Sequence, residues 1–325
     1  MSKQQTNNKV ESKDIDIVYL WVDGNDPVWQ AKRNAFIGKP FGNSQTDCKG
    51  RYANNDELKY SLRSIEAYAP WIRKIFIVTD SQTPEWLDTS NPKIQVVDHK
   101  EILPTECLPC FNSVIIEHFL YRIEGLSEHF LYANDDMFLN KEVKPYDFFT
   151  PEGFPIIRLT RQPFRKYLIS LRKRFFRKSL KNYTIKIDKS ARLVEKKYGI
   201  YYSGKPHHNI DTYLRSDFQR IVEDTFCDEI MANNKHHTRH DEDVQRCIIS
   251  YVALSEKRGE LRYVTKKESY HLKIHTKRHY QELDEIRPLF FCMNDTEKAQ
   301  DDDRMAAREY LEKRFPNNSQ FEKQS

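Results

Sequence analysis

The sequence predicts an α/β fold, with a mostly parallel sheet in the first half and a more helical second half. Short β-branched and aromatic runs recur at residues 15–22 (IDIVYLWV), 74–80 (KIFIVTD), 94–98 (IQVVD) and 129–136 (HFLYANDD). Amphipathic helical stripes separate them, and that alternation is the signature of parallel βαβ construction. Two of the runs also end in acid-bearing turns, which places polar groups along one rim of the sheet, where open α/β folds bind ligands.

Taken in order, the run at 15–22 reads as a buried strand, stopped by the turn signal Asp23-Gly24-Asn25-Asp26-Pro27. Residues 57–68 put Leu58, Leu62 and Ile65 on one helical stripe, and Pro70 marks its end. Residues 111–123 read as a helix that Asn112 or Ser113 can cap, with Ile116, Phe119, Leu120 and Ile123 as its apolar face and Glu117 beside it. In the second half, helices are expected at 210–234, 242–254 and 302–315, while 263–275 has no clear period. One domain over 13–325 is expected, with 165–197 as a basic insertion or lid within it.

Composition narrows the function classes. In 325 residues, 38% are hydrophobic and 31% charged, with 9 Gly and 14 Pro, a polar but foldable globular chain rather than a fibre or a disordered one. No apolar run is long enough to cross a bilayer, and the polar start MSKQQTNNKVES lacks the apolar centre of a signal peptide, so a cytoplasmic location is expected. The six cysteines are too sparse and irregular for a secreted disulfide framework. Cys107-Leu-Pro-Cys110 has redox spacing, but a lone pair without a second one points to packing. No glycine-rich dinucleotide fingerprint follows Val22 and no Walker loop occurs, which removes the best motifs for an NAD enzyme or a P-loop ATPase.

Charge is concentrated. Residues 165–197 hold 13 Lys or Arg and 2 acids, a local excess of 11 in a chain whose net charge is +5, so the remainder carries −6. Interleaved with Leu171, Phe175, Phe176, Leu180, Tyr183 and Ile187, this segment reads as a basic amphipathic surface for anionic lipid or polymer. A merely solvated face is the competing reading. No nucleic-acid reader module accompanies it, so nucleic acid is not an expected partner.

On residue type and position alone, Asp23, Asp26, Asp135 and Asp136 at strand ends, with Glu117 nearby, suit Mg²⁺ bound through diphosphate oxygens. Arg239, in a cluster with His236, His237, His240 and residues 241–243, suits a phosphate.

Four longer motifs sharpen this. They are DIVYLWVDGND (16–26); a stretch holding Arg51, ELKYSLRS (57–64), APW (69–71), FNS (111–113), Glu117 and NDDM (134–137); His207 through HTRHDED (237–243); and FCMND (291–295) with FPNNS (315–319), Phe321 and Glu322. Together the chain resembles, over residues 15–322, the Stealth family of polysaccharide and glycan phosphotransferases. That resemblance implies a Rossmann-like nucleotide-sugar transferase core. It implies transfer of sugar 1-phosphate from a UDP-sugar such as UDP-GlcNAc, with release of UMP, to an oligosaccharide or polysaccharide acceptor in capsule or exopolysaccharide synthesis. The alternatives are an ordinary glycosyltransferase releasing UDP, or a nonenzymatic glycan-binding scaffold.

The implied roles fall on Glu117, Arg239 and one of His207 and His208 as catalytic groups. Asp136 and Asp295 would hold Mg²⁺, with Mn²⁺ as the substitute, and Asp23, Asp26, Asn134 and Asp135 would support the donor. Two departures stand out: Cys110 replaces a hydroxyl residue of the family motif, and GKPHHNID (204–211) leaves the choice between His207 and His208 open. The anionic product gives the basic segment a reason to touch the growing polymer, the membrane or a capsule-assembly complex.

Overall fold

The computed structural model describes residues 13–40, 50, 52–175 and 182–324. In chain order the strands are β1 (Ile15–Leu20), β2 (Ile75–Thr79), β3 (Ile94–Asp98), β4 (His129–Asn134), β5 (Met137–Leu139), β6 (Ile156–Thr160), β7 (Lys205–Pro206), β8 (Asp211–Leu214), β9 (Glu260–Tyr263), β10 (Ser269–Lys273) and β11 (Phe290–Asn294). The helices are α1 (Pro27–Ile37), α2 (Glu57–Tyr68), α3 (His99–Ile102), α4 (Ser113–His118), α5 (Arg165–Phe175), α6 (Asn182–Tyr198), α7 (Arg215–Arg220), α8 (Cys227–Met231), α9 (Cys247–Ser255), α10 (Lys277–Ile286) and α11 (Asp301–Arg314).

The central sheet has the order β3-β2-β1-β4-β8, parallel except for the antiparallel edge strand β8. Its strands are apolar on both faces because both are covered. Val18, Phe76, Val78, Phe130 and Tyr132 pack with α4, α6 and α9 on one side. Ile17, Tyr19, Ile75, Ile77 and Leu131 pack with α2 and β5 on the other. Each fully buried aliphatic side chain there contributes roughly 1.5–3 kcal/mol. The chain runs from β1 outward to β2 and β3, then returns to place β4 on the other flank of β1. That reversal opens a crevice between the carboxyl ends of β1 and β4, the usual ligand site of such sheets.

A second sheet, β10-β11-β5, determines what faces the crevice. Cys292 of β11 is paired with Met137 of β5, and Met293 N–H donates to Asp136 O at 2.9 Å. The pairing delivers Asn294 and Asp295 beside the end of β4. The third sheet, β7-β6-β9, joins the basic segment to the second half.

The expected strands, α2 and the closing helix are present within a residue or two. The expected helix at 210–234 is instead β8, α7, a π-helical turn (Ile221–Thr225) and α8. Tertiary pairing overrides helical propensity there: Thr212 and Tyr213 lie antiparallel to Leu131 and Phe130. The helix expected from 242 starts at Cys247, because Asp243 and Gln245 are held by side-chain bonds rather than by a helical ladder. The helix expected over 111–123 ends at His118 and continues as a short 3₁₀ turn (Leu120–Arg122), with Asn112 as its cap. Residues 263–275 contain β10. In the basic segment, α6 buries Ile187, Ala191 and Val194 in the main core; residues 176–181 lie outside the described residues, and Phe176 and Leu180 with them.

Candidate active site

The cleft at the β1/β4 crevice has about 1010 Å³ of open space, its mouth included, enough for a nucleotide sugar. Its floor is acidic. Asn134, Asp135 and Asp136 follow β4, Glu57 opens α2, and Asp295 follows β11. Glu57 accepts from its own turn, Asn55 N–H at 2.6 Å and Asn55 Nδ2 at 2.7 Å. Burial, with a lesser contribution from the Asp136 charge, still pushes its carboxyl up to about 7. Burial, then the charges of Glu57 and Asp136, raises Asp135 well above the carboxylate range. Asp136 Oδ2 accepts from the Cys292 thiol at 3.2 Å. Asp295 is gripped by Arg304 at 2.7 and 3.1 Å, and its Oδ1 would lie 2.4 Å from a Cβ on residue 50, so only glycine fits there.

These acids suit a divalent cation by the chemistry of the donor set, although no three of them bring their oxygens within 4.8 Å of one another. They are hard oxygen ligands, two of which resist ionisation chiefly because they are buried and secondarily because of neighbouring acids, and a cation offsets that penalty. On an adjoining wall His208, His271 and Cys292 bring their nitrogen and sulfur atoms within 4.8 Å of one another.

Arg239 lines the same cleft. Its Nη2 donates to Ser113 Oγ at 3.1 Å, and its Nη1 is buried without a hydrogen-bond partner. The position is built by stitching two distant segments together. Phe111 N–H donates to His237 O at 2.8 Å, and Asn112 Nδ2 reaches Thr238 O at 3.2 Å and Asp243 Oδ2 at 3.0 Å. Asp243, fully buried, also takes Lys186 Nζ at 3.1 Å, His236 Nδ1 at 2.8 Å and His240 N–H at 2.9 Å. Burial works to raise its carboxyl, but Lys186 and these hydrogen bonds outweigh it and hold the carboxyl below its usual range.

The remaining wall is aromatic. Trp29 lies 5.3 Å from Tyr52 and 5.7 Å from Phe111, centroid to centroid, and its indole N–H donates to Asp80 at 2.9 Å. His99, buried beside Asp80, is pushed down to about 4 by desolvation and is neutral at physiological pH.

Of the residues expected from sequence, the cleft gathers Asn134, Asp135, Asp136, His208, Arg239 and Asp295. It does not gather four others. His207 is buried, with Nδ1 3.1 Å from Ser269 Oγ and Nε2 3.4 Å from Asp211. Glu117 is buried behind the cleft. Its Oε2 accepts from Arg246 Nε at 3.1 Å, and the Tyr132 hydroxyl sits 3.2 Å from Oε1 and 2.7 Å from Asn134 Oδ1. Arg246 also holds Asp211 at 2.8 Å. Glu117 is thus linked to the cleft through Tyr132 and Asn134.

Asp23 accepts from Asn25 N–H at 2.8 Å within its own turn. Asp26 caps α1 by accepting from Val28 N–H at 2.8 Å and takes Gln82 Nε2 at 2.9 Å; these bonds, Gln82 foremost, lower its pKa. Cys107 and Cys110 are buried and burial pushes both thiols up to about 12, so neither is a reactive thiolate.

Glu57 and the Trp29, Tyr52 and Phe111 wall were not singled out from sequence. Glu57 stands at the first position of the ELKYSLRS motif, which is the available signal.

Residues 13–39 match Stealth protein CR1, conserved region 1, and residues 51–157 match Stealth protein CR2, conserved region 2. The chain is 32% identical over 313 residues to the capsular polysaccharide phosphotransferase fcs1 of Haemophilus influenzae, covering 91% of this chain and 84% of that one. It is 45% identical over 142 residues to the capsular polysaccharide phosphotransferase WcwK of Streptococcus pneumoniae, covering 43% of each. An exopolysaccharide phosphotransferase of Streptomyces coelicolor is 52% identical over 141 residues, and the match spans only 23% of that relative's length. Among solved structures, the galactosyltransferase LgtC with donor and acceptor sugar analogs superposes with a TM-score of 0.46 at 11% identity, covering 94% of this chain and 96% of that one. The near full-length match to fcs1, together with both conserved regions, shows that the chain belongs to the Stealth family.

Proposed function

We propose that this chain transfers sugar 1-phosphate from a UDP-sugar to a hydroxyl of a capsular or cell-surface polysaccharide. The acceptor oxygen attacks the sugar-proximal phosphorus, the bond from that phosphorus to the bridging oxygen breaks, and UMP leaves as a phosphodiester forms. The observation that carries this reading is that Glu57, Asp135, Asp136 and Asp295 line one cleft together with Arg239, whose Nη1 is buried without a hydrogen-bond partner. Relatives named as capsular and exopolysaccharide phosphotransferases support it.

Asp136 and Asp295, with Glu57 and Asp135 beside them, would hold a divalent cation such as Mg²⁺ or Mn²⁺. Such a cation supplies charge neutralisation to diphosphate oxygens. Arg239 meets the charge on the transferred phosphoryl group with a guanidinium already oriented by Ser113. His208, which lines the cleft where His207 does not, takes the acceptor hydroxyl proton. Glu117 is a positioning residue that anchors Arg246 and, through Tyr132, orients Asn134. The flat faces of Trp29, Tyr52 and Phe111 suit a nucleobase.

The test is incubation with Mg²⁺, a panel of UDP-sugars and capsular oligosaccharides, following nucleotide release and acceptor mass together. Acceptor-dependent UMP with a sugar-phosphate mass increase is expected. UDP with a sugar-only increase would move the attack to the anomeric carbon and overturn the proposal.

A further inference from the structure

Among its described side chains, helix α5 buries Arg165 and Ile169. Arg165 is buried, its Nη2 donating to Tyr202 O at 2.6 Å with its guanidinium over the Tyr201 ring, and Ile169 beside it is buried as well. Phe164, Tyr167 and Leu168, spaced i, i+3 and i+4, are 70%, 64% and 53% exposed. A surface helix ordinarily turns such a stripe to the core. Here arginine and isoleucine take the core-facing side, and the aromatic and leucine side chains face solvent.

The surrounding surface extends the same pattern. Ile200, adjacent to the Tyr201 that packs on Arg165, and Tyr263, whose ring lies beneath Arg161, are also exposed. With Leu261, six of the ten large exposed hydrophobics among the described residues fall on the start of α5, the end of α6 and β9. Scattered exposed apolar residues need no explanation, whereas a cluster marks a contact surface. Arg158, Arg165 and Lys186 are buried and take no part in it, and the exposed charges on the described part of α5 and just before it are basic. Arg161, Lys166 and Arg172 are exposed on the described part, where Lys166 pairs with Glu195.

We propose that this face docks on an anionic bilayer surface, with Phe164, Tyr167 and Leu168 entering the boundary between headgroups and acyl chains and the flanking cations meeting lipid phosphates. An anionic polysaccharide would be held by cations and flat rings, but gains nothing from a phenylalanine and a leucine projecting at helical spacing. An interfacial helix needs that spacing beside basic residues. The assignment goes beyond the reaction proposed above and stands independently of it.

The test is co-sedimentation of the full chain with phosphatidylcholine vesicles containing roughly one-third phosphatidylglycerol, beside neutral vesicles, at low and high salt. Strong preference for the anionic vesicles is expected. Replacing Phe164, Tyr167 and Leu168 together by Ser should lower partitioning at least about tenfold with an unchanged circular dichroism spectrum, since all three are exposed. Should that variant misfold, Arg161→Gln with Arg172→Gln should remove the anionic preference in a folded chain. Partitioning of the triple variant equal to that of the parent would overturn the proposal. So would a parent that ignores vesicles but retains phosphorylated oligosaccharide, or one that self-associates through these three residues in sedimentation velocity.

Discussion

Two strands of the central sheet end in acids, and the two ends are not alike. After β1, the Asp23 carboxylate accepts from the Asn25 amide and the Asp26 carboxylate from the Val28 amide and the Gln82 side chain, so one serves a turn and the other a helix cap. After β4, Asp135 and Asp136 meet Glu57 and, through the pairing of β5 with β11, the Asp295 segment. The same signal in sequence, acids following a buried strand, thus yields a scaffold in one place and a charged floor in the other. The difference comes from what distant elements bring to the strand end: amide donors in the first case, further carboxylates in the second.

The sharpest way to break this contrast is to remove one acid from each end. Asp136→Asn or Asp295→Asn should lower transfer by about a thousandfold, whereas Asp23→Asn should change it less than about threefold. Comparable losses at both ends would erase the distinction. Arg239→Ala should follow, with a fall in kcat of about a hundredfold or more, measured on protein whose melting temperature matches the parent.

The burial of Glu57 among these acids can be read by pH. Glu57 has a folded-state pKa near 7, raised from 4.5, so its contribution to stability is present at low pH and is lost as pH rises through 7. The cation-free protein should therefore lose on the order of 1–3 kcal/mol between about pH 5 and pH 8 through this group. Mg²⁺ should restore melting temperature at the higher pH and have little effect at the lower. Glu57→Gln should flatten the pH dependence, and a flat profile in the parent would contradict the buried, uncompensated state of this carboxyl. The smallest effect belongs to the other strand end. Asp26→Ala should cost about 1 kcal/mol of stability by uncapping α1 and leave activity per folded molecule unchanged.

The sheet strands and α2 were legible because burial on both faces or on one stripe leaves a local period. The segment 210–234 was not, because the partner that makes Thr212 and Tyr213 a strand is β4, about eighty residues earlier. The same limit applied at the site. Asn134, Asp135, Asp136, Arg239 and Asp295 were identified as expected site residues, but the choice between His207 and His208 depends on which side chain turns to the cleft. Glu117 looks equivalent to the other acids in sequence, yet its pairing with Arg246 sets it behind the cleft. Burial and partners across long separations decide those roles, and neither has a local signature.

The central claim is that chemistry occurs at phosphorus over the acids that follow β4. It is tested most directly with a UDP-sugar carrying ¹⁸O in the oxygen that joins the anomeric carbon to phosphorus. Mass spectrometry of both products then locates the label. Attack at phosphorus keeps it in the polysaccharide phosphodiester and leaves UMP unlabelled, which is the predicted result. Label leaving in UDP would place the attack at the anomeric carbon and contradict the account.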